Sequence, residues 1–278
     1  MWRLPLANML EWGEDEWILL ILSLVATIHA IYWVGSCFSA VPELGARPPV
    51  RRPLVAAILA SLACLVFVSW RWTAIEIRDG QDYILLALLM GGAWFSVYVH
   101  GFQWLGIGLF EDACERTNSA AAVALSGGIV GGNLLYCGSI CGEGPSFWNN
   151  VFTITLAGAA WFFVWVCLEF AGDFSRRIAE ERGAASGRRL AGFLVATGVI
   201  LGRAAAGNWE SMDATVGSLV ADGWPALALV PLAAGWERFT ARVREPAESP
   251  LAGWPVASAY VFASLGWVWH LGWWEGVP

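Results

Sequence analysis

The sequence predicts an all-α polytopic transmembrane helix bundle of about eight spans, with a repeated Gly- and Ala-rich helix pair at its centre. Only 14% of the 278 residues are charged, whereas soluble domains carry about 25%. The hydrophobic share is 58%, and it is gathered in runs close to the roughly 20 residues that cross a bilayer. Small residues are concentrated in two of these runs, which favours close packing of helices in lipid.

Eight apolar runs qualify as spans, and together they form one integral membrane domain covering residues 1–278. The predicted spans are 17–38, 53–70, 83–110, 118–141, 148–172, 189–207, 222–240 and 252–274. The seventh contains Pro225 and Pro231, which membrane helices tolerate where neighbours satisfy the freed carbonyl groups. Residues 83–207 form tandem helix pairs, and 1–82 and 208–278 are flanking pairs.

The centre of the prediction is the small-residue run 118–132. Four of its residues recur at every fourth position and fall on one helical face, where they allow backbones to approach closely. They are Ala120, Ala124, Gly128 and Gly132. A second copy spans 190–203, and a shift of 71 positions matches Gly127 with Gly198 and Gly131 with Gly202. We therefore expect these two helices to pack side by side.

The arginines predict the orientation, because loops on the cytoplasmic side are rich in basic residues. Alternate loops hold twelve arginines on one side and three on the other. The twelve are Arg47, Arg51, Arg52, Arg116, Arg176, Arg177, Arg182, Arg188, Arg189, Arg238, Arg242 and Arg244; the three are Arg3, Arg71 and Arg78. This bias predicts a multi-pass protein of the bacterial inner membrane with both termini on the non-cytoplasmic side.

One stretch resembles a known family. Residues 111–132 read Glu-Asp-Ala-Cys-Glu-Arg-Thr-Asn followed by the small-residue run, and they resemble the YjfL-like bacterial inner-membrane proteins. That family carries tandem helix pairs whose second helix opens with an acidic approach, then Gly-Asn and an Ala- and Gly-rich run. Asn118 stands at the family's Asn, Thr117 replaces its Gly, and Arg189 takes the Asn position in the second copy. Over residues 83–207 the resemblance implies an oligomeric membrane protein linked to envelope stress or ion movement, without catalytic residues.

The three histidines are the candidate cofactor ligands, because membrane His can bind haem or pigment metal or relay protons. They are His29, His100 and His270. Counting about 1.5 Å per residue from the span ends places them at three different depths. We therefore expect interhelical hydrogen bonds or interfacial positions, with metal or pigment ligation as the alternative.

Four polar residues lie within predicted spans, and each has a structural and a functional interpretation. They are Asn118, Asn133, Glu169 and Arg203. Glu169 and Arg203 lie near opposite ends of their spans, so we expect snorkelling rather than a direct pair. Alternatively, Arg203 lines an anion-attracting vestibule and Glu169 forms a proton-moving pair with His100. Asn133 is expected to bond across helices, with solute binding as the alternative.

Other classes of function find no support in the sequence. The net charge of −7 argues against nucleic acid, which needs a basic surface. The six Cys show no zinc spacing, and we expect Cys137 and Cys141 to be free thiols. The many Trp near span ends suit an aromatic belt or, alternatively, a stacking platform for a pigment.

No catalytic, nucleotide or cofactor motif is readable, so we expect no enzyme and no cofactor. Two functions stay open. One is an oligomeric ion or small-solute pathway, or the membrane component of a stress-response assembly. The other is an accessory structural subunit of a larger redox or light-harvesting complex. The predicted partners are the lipid bilayer and either further copies of the chain or other subunits.

Overall fold

The computed structural model describes residues 12–39, 50–73, 77–78, 80–142, 147–207, 211–243 and 251–272. Within these ranges the secondary structure is helical. The α-helices are α1 (Glu14–Ser39), α2 (Arg51–Arg71), α3 (Gln81–Trp104), α4 (Ser119–Ser139), α5 (Phe147–Gly172), α6 (Phe174–Ala179), α7 (Ala184–Ala205), α8 (Met212–Val243) and α9 (Trp254–His270). A π-helical segment, Leu109–Glu115, lies between α3 and α4.

Seven of the described helices are long and apolar enough to cross a membrane: α1, α2, α3, α4, α5, α7 and α8. This confirms the predicted all-α membrane bundle. The eighth predicted span corresponds to α9, which has 17 residues, so the count of eight stays a prediction.

The proline-containing span is longer than predicted. Helix α8 runs without a break for 32 residues and keeps Pro225 and Pro231 inside it. The indole Nε1 of Trp267 donates a hydrogen bond of 2.8 Å to the carbonyl of Asp222, in the turn that Pro225 disturbs. A side chain from α9 thus adds a donor to a carbonyl beside the one, that of Ala221, which Pro225 leaves without its helical partner.

The helices form two layers of opposite direction. Helices α2, α4, α7 and α9 lie side by side and run the same way, and α1, α3, α5 and α8 run the other way behind them. The parallel arrangement is clear between α4 and α7, because Gly187 lies against Ala120 at their beginnings and Gly202 against Leu134 near their ends. Each antiparallel pair of long helices begins 65 to 67 residues after the one before.

The two small-residue helices occupy the centre of the bundle. Of the most apolar 18 residues of each helix, 72% are buried inside the protein in α4 and 78% in α7, whereas only 17% are buried in α1. Helix α1 therefore presents most of its surface, including Ile21, Val25 and Ile28, to its surroundings.

One end of the bundle is rich in arginine. Helices α2, α4, α7 and α9 begin at this end, and α1, α3, α5 and α8 finish there. Arg51, Arg177, Arg189 and Arg242 therefore share this arginine-rich end.

Candidate functional site

The seam between α4 and α7 brings backbone against backbone. A Cβ built on Gly198 would overlap Gly131, with 2.6 Å to its Cα. One built on Gly131 would overlap the carbonyl oxygen of Leu194. Real Cβ atoms do not approach this closely, so only glycine fits at these two positions. The expected side-by-side packing of residues 118–132 and 190–203 is therefore what the structure shows.

The seam extends over the length of both helices. A Cβ on Gly127 would lie 2.6 Å from the Cβ of Ala191, and one on Gly202 would lie 2.7 Å from the carbonyl oxygen of Leu134. At the arginine-rich end the backbone of Ala120 meets Gly187.

Helix α4 uses a second small-residue face that the sequence analysis did not separate from the first. Gly128 lies against the ring of Phe102 and Gly132 against the ring of Tyr98, at 2.8 Å and 2.6 Å from an added Cβ. Both rings belong to α3. Two glycines of the predicted every-fourth-residue face, Gly128 and Gly132, thus pack against aromatic rings of α3. The neighbouring Gly127 and Gly131 face α7 instead. Ala124 is buried, with 1% of its surface exposed.

Asn118 is the N-cap of α4, just outside the helix rather than within it. Its Oδ1 accepts hydrogen bonds from the backbone N–H groups of Ala120 and Ala121 at 3.0 and 3.2 Å. Its Nδ2 donates to the carbonyl of Ile178 at 2.6 Å. The side chain therefore begins the central helix and fastens it to α6.

The structure contradicts the predicted separation of His29 and His100 in depth. Their Nε2 atoms lie 3.5 Å apart, and the rings stack with centroids at 5.3 Å and an angle of 26°. The expected depths were counted from residues 17 and 83, whereas Trp12 and Tyr83 are the residues that lie side by side, with their rings stacked. His29 and His100 are each 17 residues further along the chain, so they lie at the same depth. The Nδ1 of His100 contacts the carbonyl of Ser96 at 2.8 Å.

The pair of Glu169 and His100, the alternative to snorkelling, is not formed. Glu169 accepts hydrogen bonds from the backbone N–H of Ser175, at 3.0 Å, and from the Ser175 hydroxyl, whereas His100 contacts His29. Glu169 and Arg203 do not pair either, as expected. Arg203 donates to the carbonyl groups of Gly272 and Ala206 at 3.3 and 3.5 Å.

The remaining histidine lies apart from the other two. His270 is the last residue of α9, and its ring stands 5.6 Å from the ring of Trp267. Among the described residues no group of three or more His, Cys, Asp or Glu is placed to hold a metal ion.

A buried ionic cluster at the arginine-rich end escaped the sequence analysis. Glu237 of α8 has no exposed surface, and its Oε2 accepts from Arg189 Nε of α7 at 2.7 Å. Its Oε1 accepts from Arg177 Nη1 at 3.1 Å and from the hydroxyl of Ser186. The only signal in the sequence is a lone carboxylate within the last two turns of an apolar helix, and we made no prediction for it.

Asn133 borders a side cavity rather than the central seam. Its Nδ2 donates to the Sγ of Cys137 at 3.7 Å. The cavity, of about 520 Å³, is bounded by α1, α2 and α3 and by Asn133 of α4, and it includes Thr27 and Ser61 in its wall. A second hollow of about 390 Å³ is lined only by α2, α4, α7 and α9. All six cysteines are free thiols.

No family model, curated protein or solved structure matches the chain. The resemblance to the YjfL-like proteins therefore stays a prediction.

Proposed function

We propose that this multi-pass membrane protein is a structural subunit of a larger membrane assembly and does not carry ions through its own centre. The observation that carries the proposal is the seam between α4 and α7. A conducting path needs space and polar groups along its wall. Here the backbones of Gly131 and Gly198 touch, and the hydroxyl of Thr197 is held by Trp161 Nε1 at 3.0 Å and by the Phe193 carbonyl.

The flanks of the bundle suit contact with lipid and with other membrane helices. Helix α1 exposes a continuous apolar face, with Ile21, Leu22, Val25 and Ile28 between 56% and 63% exposed. Such a face is stable in hydrocarbon and also packs against a neighbouring helix. The partners in this proposal are the bilayer and either further copies of the chain or other subunits.

The proposed location is the bacterial inner membrane, with the arginine-rich end in the cytoplasm. Support comes from the arginines at the shared helix ends, since basic residues are retained on that side. Arg177 and Arg242 belong to this end, and Arg71 and Arg203 to the other. Arg3, Arg47 and Arg244 lie outside the described residues. In this arrangement both chain termini lie on the non-cytoplasmic side.

A second candidate is an oligomeric pathway for a small ion, formed between copies rather than within one. The contact between His29 and His100 favours it, because ionisable rings within a membrane segment often mark ion or proton routes. His29 is exposed on the outside of the bundle, where a neighbouring copy could complete such a route. The resemblance to the YjfL-like proteins supports this candidate. It equally supports a role as the membrane component of a stress-response assembly.

Reconstitution separates the two candidates. Purified protein in liposomes is given a proton or potassium gradient, and flux is followed with an internal pH dye or an ion electrode. A structural subunit leaves the leak equal to that of empty liposomes. Flux above that leak, lost in His29→Phe but kept in Trp269→Phe, would contradict our proposal and support the pathway. Trp269 is a suitable control because it is also an exposed aromatic residue.

The assembly itself is tested by gentle extraction from the native membrane, followed by native mass spectrometry. We expect a complex of fixed stoichiometry that survives dilution, and a lone monomer would contradict the proposal. The absorption spectrum of the same sample tests the redox or light-harvesting version, which requires a haem or pigment band in the complex.

A further inference from the structure

The side cavity between α1, α2 and α3 has the features of a ligand site. Its volume is about 520 Å³, within the roughly 300–1,000 Å³ of small-molecule pockets. Its wall is made of aliphatic and aromatic residues with three polar side chains, Thr27, Ser61 and Asn133, and holds no charged residue. An ionic headgroup would therefore enter without a counter-charge, which is strongly unfavourable.

Ser61 is the main reason to expect an occupant. Only 8% of its surface is exposed, and its buried hydroxyl has no hydrogen-bond partner. A helical serine commonly bonds to the carbonyl four residues earlier, as Ser126 does with Ala122 at 2.7 Å. A buried hydroxyl without a partner costs about 1–3 kcal/mol. A guest that accepts its hydrogen bond removes that cost.

Asn133 provides a second donor to the same cavity. The hydrogen bond of its Nδ2 goes to the thiol sulfur of Cys137 at 3.7 Å, and sulfur is a weak acceptor. The Thr27 hydroxyl is already used, because it donates to the carbonyl of Leu89 at 2.8 Å. The polar part of the wall thus offers donors from Ser61 and Asn133 to an acceptor on the guest.

We propose that this cavity binds a neutral, lipid-soluble molecule through a carbonyl group, which accepts hydrogen bonds from Ser61 and Asn133. The apolar remainder of the guest packs against the walls formed by α1, α2 and α3. Quinones and neutral acylglycerols both carry this chemistry. The inference goes beyond the proposed function, because the cavity lies within one chain and its occupation does not depend on any assembly.

The test uses purified wild-type protein and three probes: a decyl-substituted benzoquinone, dioctanoylglycerol, and dioctanoyl phosphatidylglycerol. Binding is titrated by native mass spectrometry. We expect one of the two neutral probes, or both, to bind in a ratio of one to one, which also identifies the source of the carbonyl. Phosphatidylglycerol binding with equal affinity would overturn the proposal, because the cavity would then not select a neutral guest.

Two substitutions locate the binding. Gly35→Leu places a side chain at a cavity-lining position where an added Cβ meets nothing within 4 Å, and it should weaken binding by about tenfold or more. Ser61→Ala removes the donor and should weaken it by about fivefold, the effect of one hydrogen bond.

Matched controls keep the outcome decisive. Gly235→Leu fills an equally open helical position outside the cavity, and Ser69→Ala removes another buried hydroxyl of α2 that has no partner. Both controls should bind like the wild type. If Gly35→Leu and Ser61→Ala also bind like the wild type, or if no neutral probe binds, the proposal is wrong. A failure of the assembly experiment leaves this result unaffected.

Discussion

Arg189 and Glu237 form an ion pair inside the protein, with 2.7 Å between Nε and Oε2 and at most 4% of either side chain exposed. The pair joins α7 to α8 near the arginine-rich end. Removing one partner of a buried pair leaves an uncompensated charge, which is far more unfavourable than losing an exposed pair.

Glu237→Gln should therefore lower the free energy of unfolding by about 3–5 kcal/mol. The measurement is equilibrium unfolding in mixed micelles of mild detergent and dodecyl sulfate. The control is Asp173→Asn, which breaks the exposed pair with Arg176 and should have no measurable effect. Equal stability of the two variants would show that the buried pair is unimportant to the fold.

Gly198→Ala should destabilise the protein by about 3 kcal/mol or prevent its folding, because the new Cβ would overlap the backbone of Gly131 and overpacking against backbone cannot relax. Gly235→Ala is the matched control, since its Cβ meets nothing within 4 Å. It should leave stability unchanged or raise it by up to about 1 kcal/mol. Folded yield and unfolding in detergent measure both, and a fully stable Gly198→Ala would refute the tight seam.

The Asn118 side chain should make two separable contributions to stability, one as an acceptor and one as a donor of hydrogen bonds. Asn118→Ser keeps an uncharged acceptor for the N–H groups of Ala120 and Ala121 but loses the donor to Ile178. Asn118→Ala loses both and should cost about 2 kcal/mol or more. We expect stability to fall from wild type to Ser to Ala, and amide exchange at Ala120 and Ala121 to accelerate only in the Ala variant. The opposite order would contradict the capping role.

Trp267→Phe should destabilise α8 near Pro225, because the carbonyl of Asp222 loses its indole donor. The expected loss is about 1–2 kcal/mol. Trp224→Phe is the comparison, since this indole is 56% exposed and stands edge-on to Trp267. Unfolding in detergent should separate the two variants, and equal losses would assign the effect to ring packing alone.

The contact between His29 and His100 predicts a definite pair of tautomers. The carbonyl of Ser96 can only accept, so His100 carries its proton on Nδ1 and presents an unprotonated Nε2. His29 then donates from Nε2. Nitrogen NMR of selectively labelled protein in nanodiscs should show the Nδ1–H form of His100 and the Nε2–H form of His29, each assigned from the spectrum of its Phe variant. An Nε2–H form of neutral His100 would contradict this geometry.

The sequence was sufficient to predict the bundle and its centre, because a run of small residues has few uses in lipid other than close packing. Gly127, Gly131, Gly198 and Gly202 all lie in the α4–α7 seam. Helical periodicity alone could not predict that Gly128 and Gly132 would instead receive aromatic rings from α3. That choice depends on which neighbour occupies each side of α4.

The polar contacts were harder to predict, since they depend on the register between helices and on partners distant in the sequence. The sequence analysis placed His29 and His100 at different depths because it counted from span starts that are not level, whereas Trp12 lies level with Tyr83. Glu237 was passed over because nothing in its own helix reveals that Arg177 and Arg189 converge on it. Ser61 resembles any small helical residue in the sequence, and only the absence of a partner for its hydroxyl sets it apart.

The order of the four antiparallel helix pairs, α1 with α2, α3 with α4, α5 with α7 and α8 with α9, has a consequence for biosynthesis. Among the described helices, the principal contacts join members of one pair or of consecutive pairs. A nascent chain can therefore dock each hairpin onto the one released just before it, without waiting for a remote segment. Translation from the N-terminus and assembly in the bilayer can proceed in step, and truncation after any complete pair should leave the earlier pairs correctly stacked.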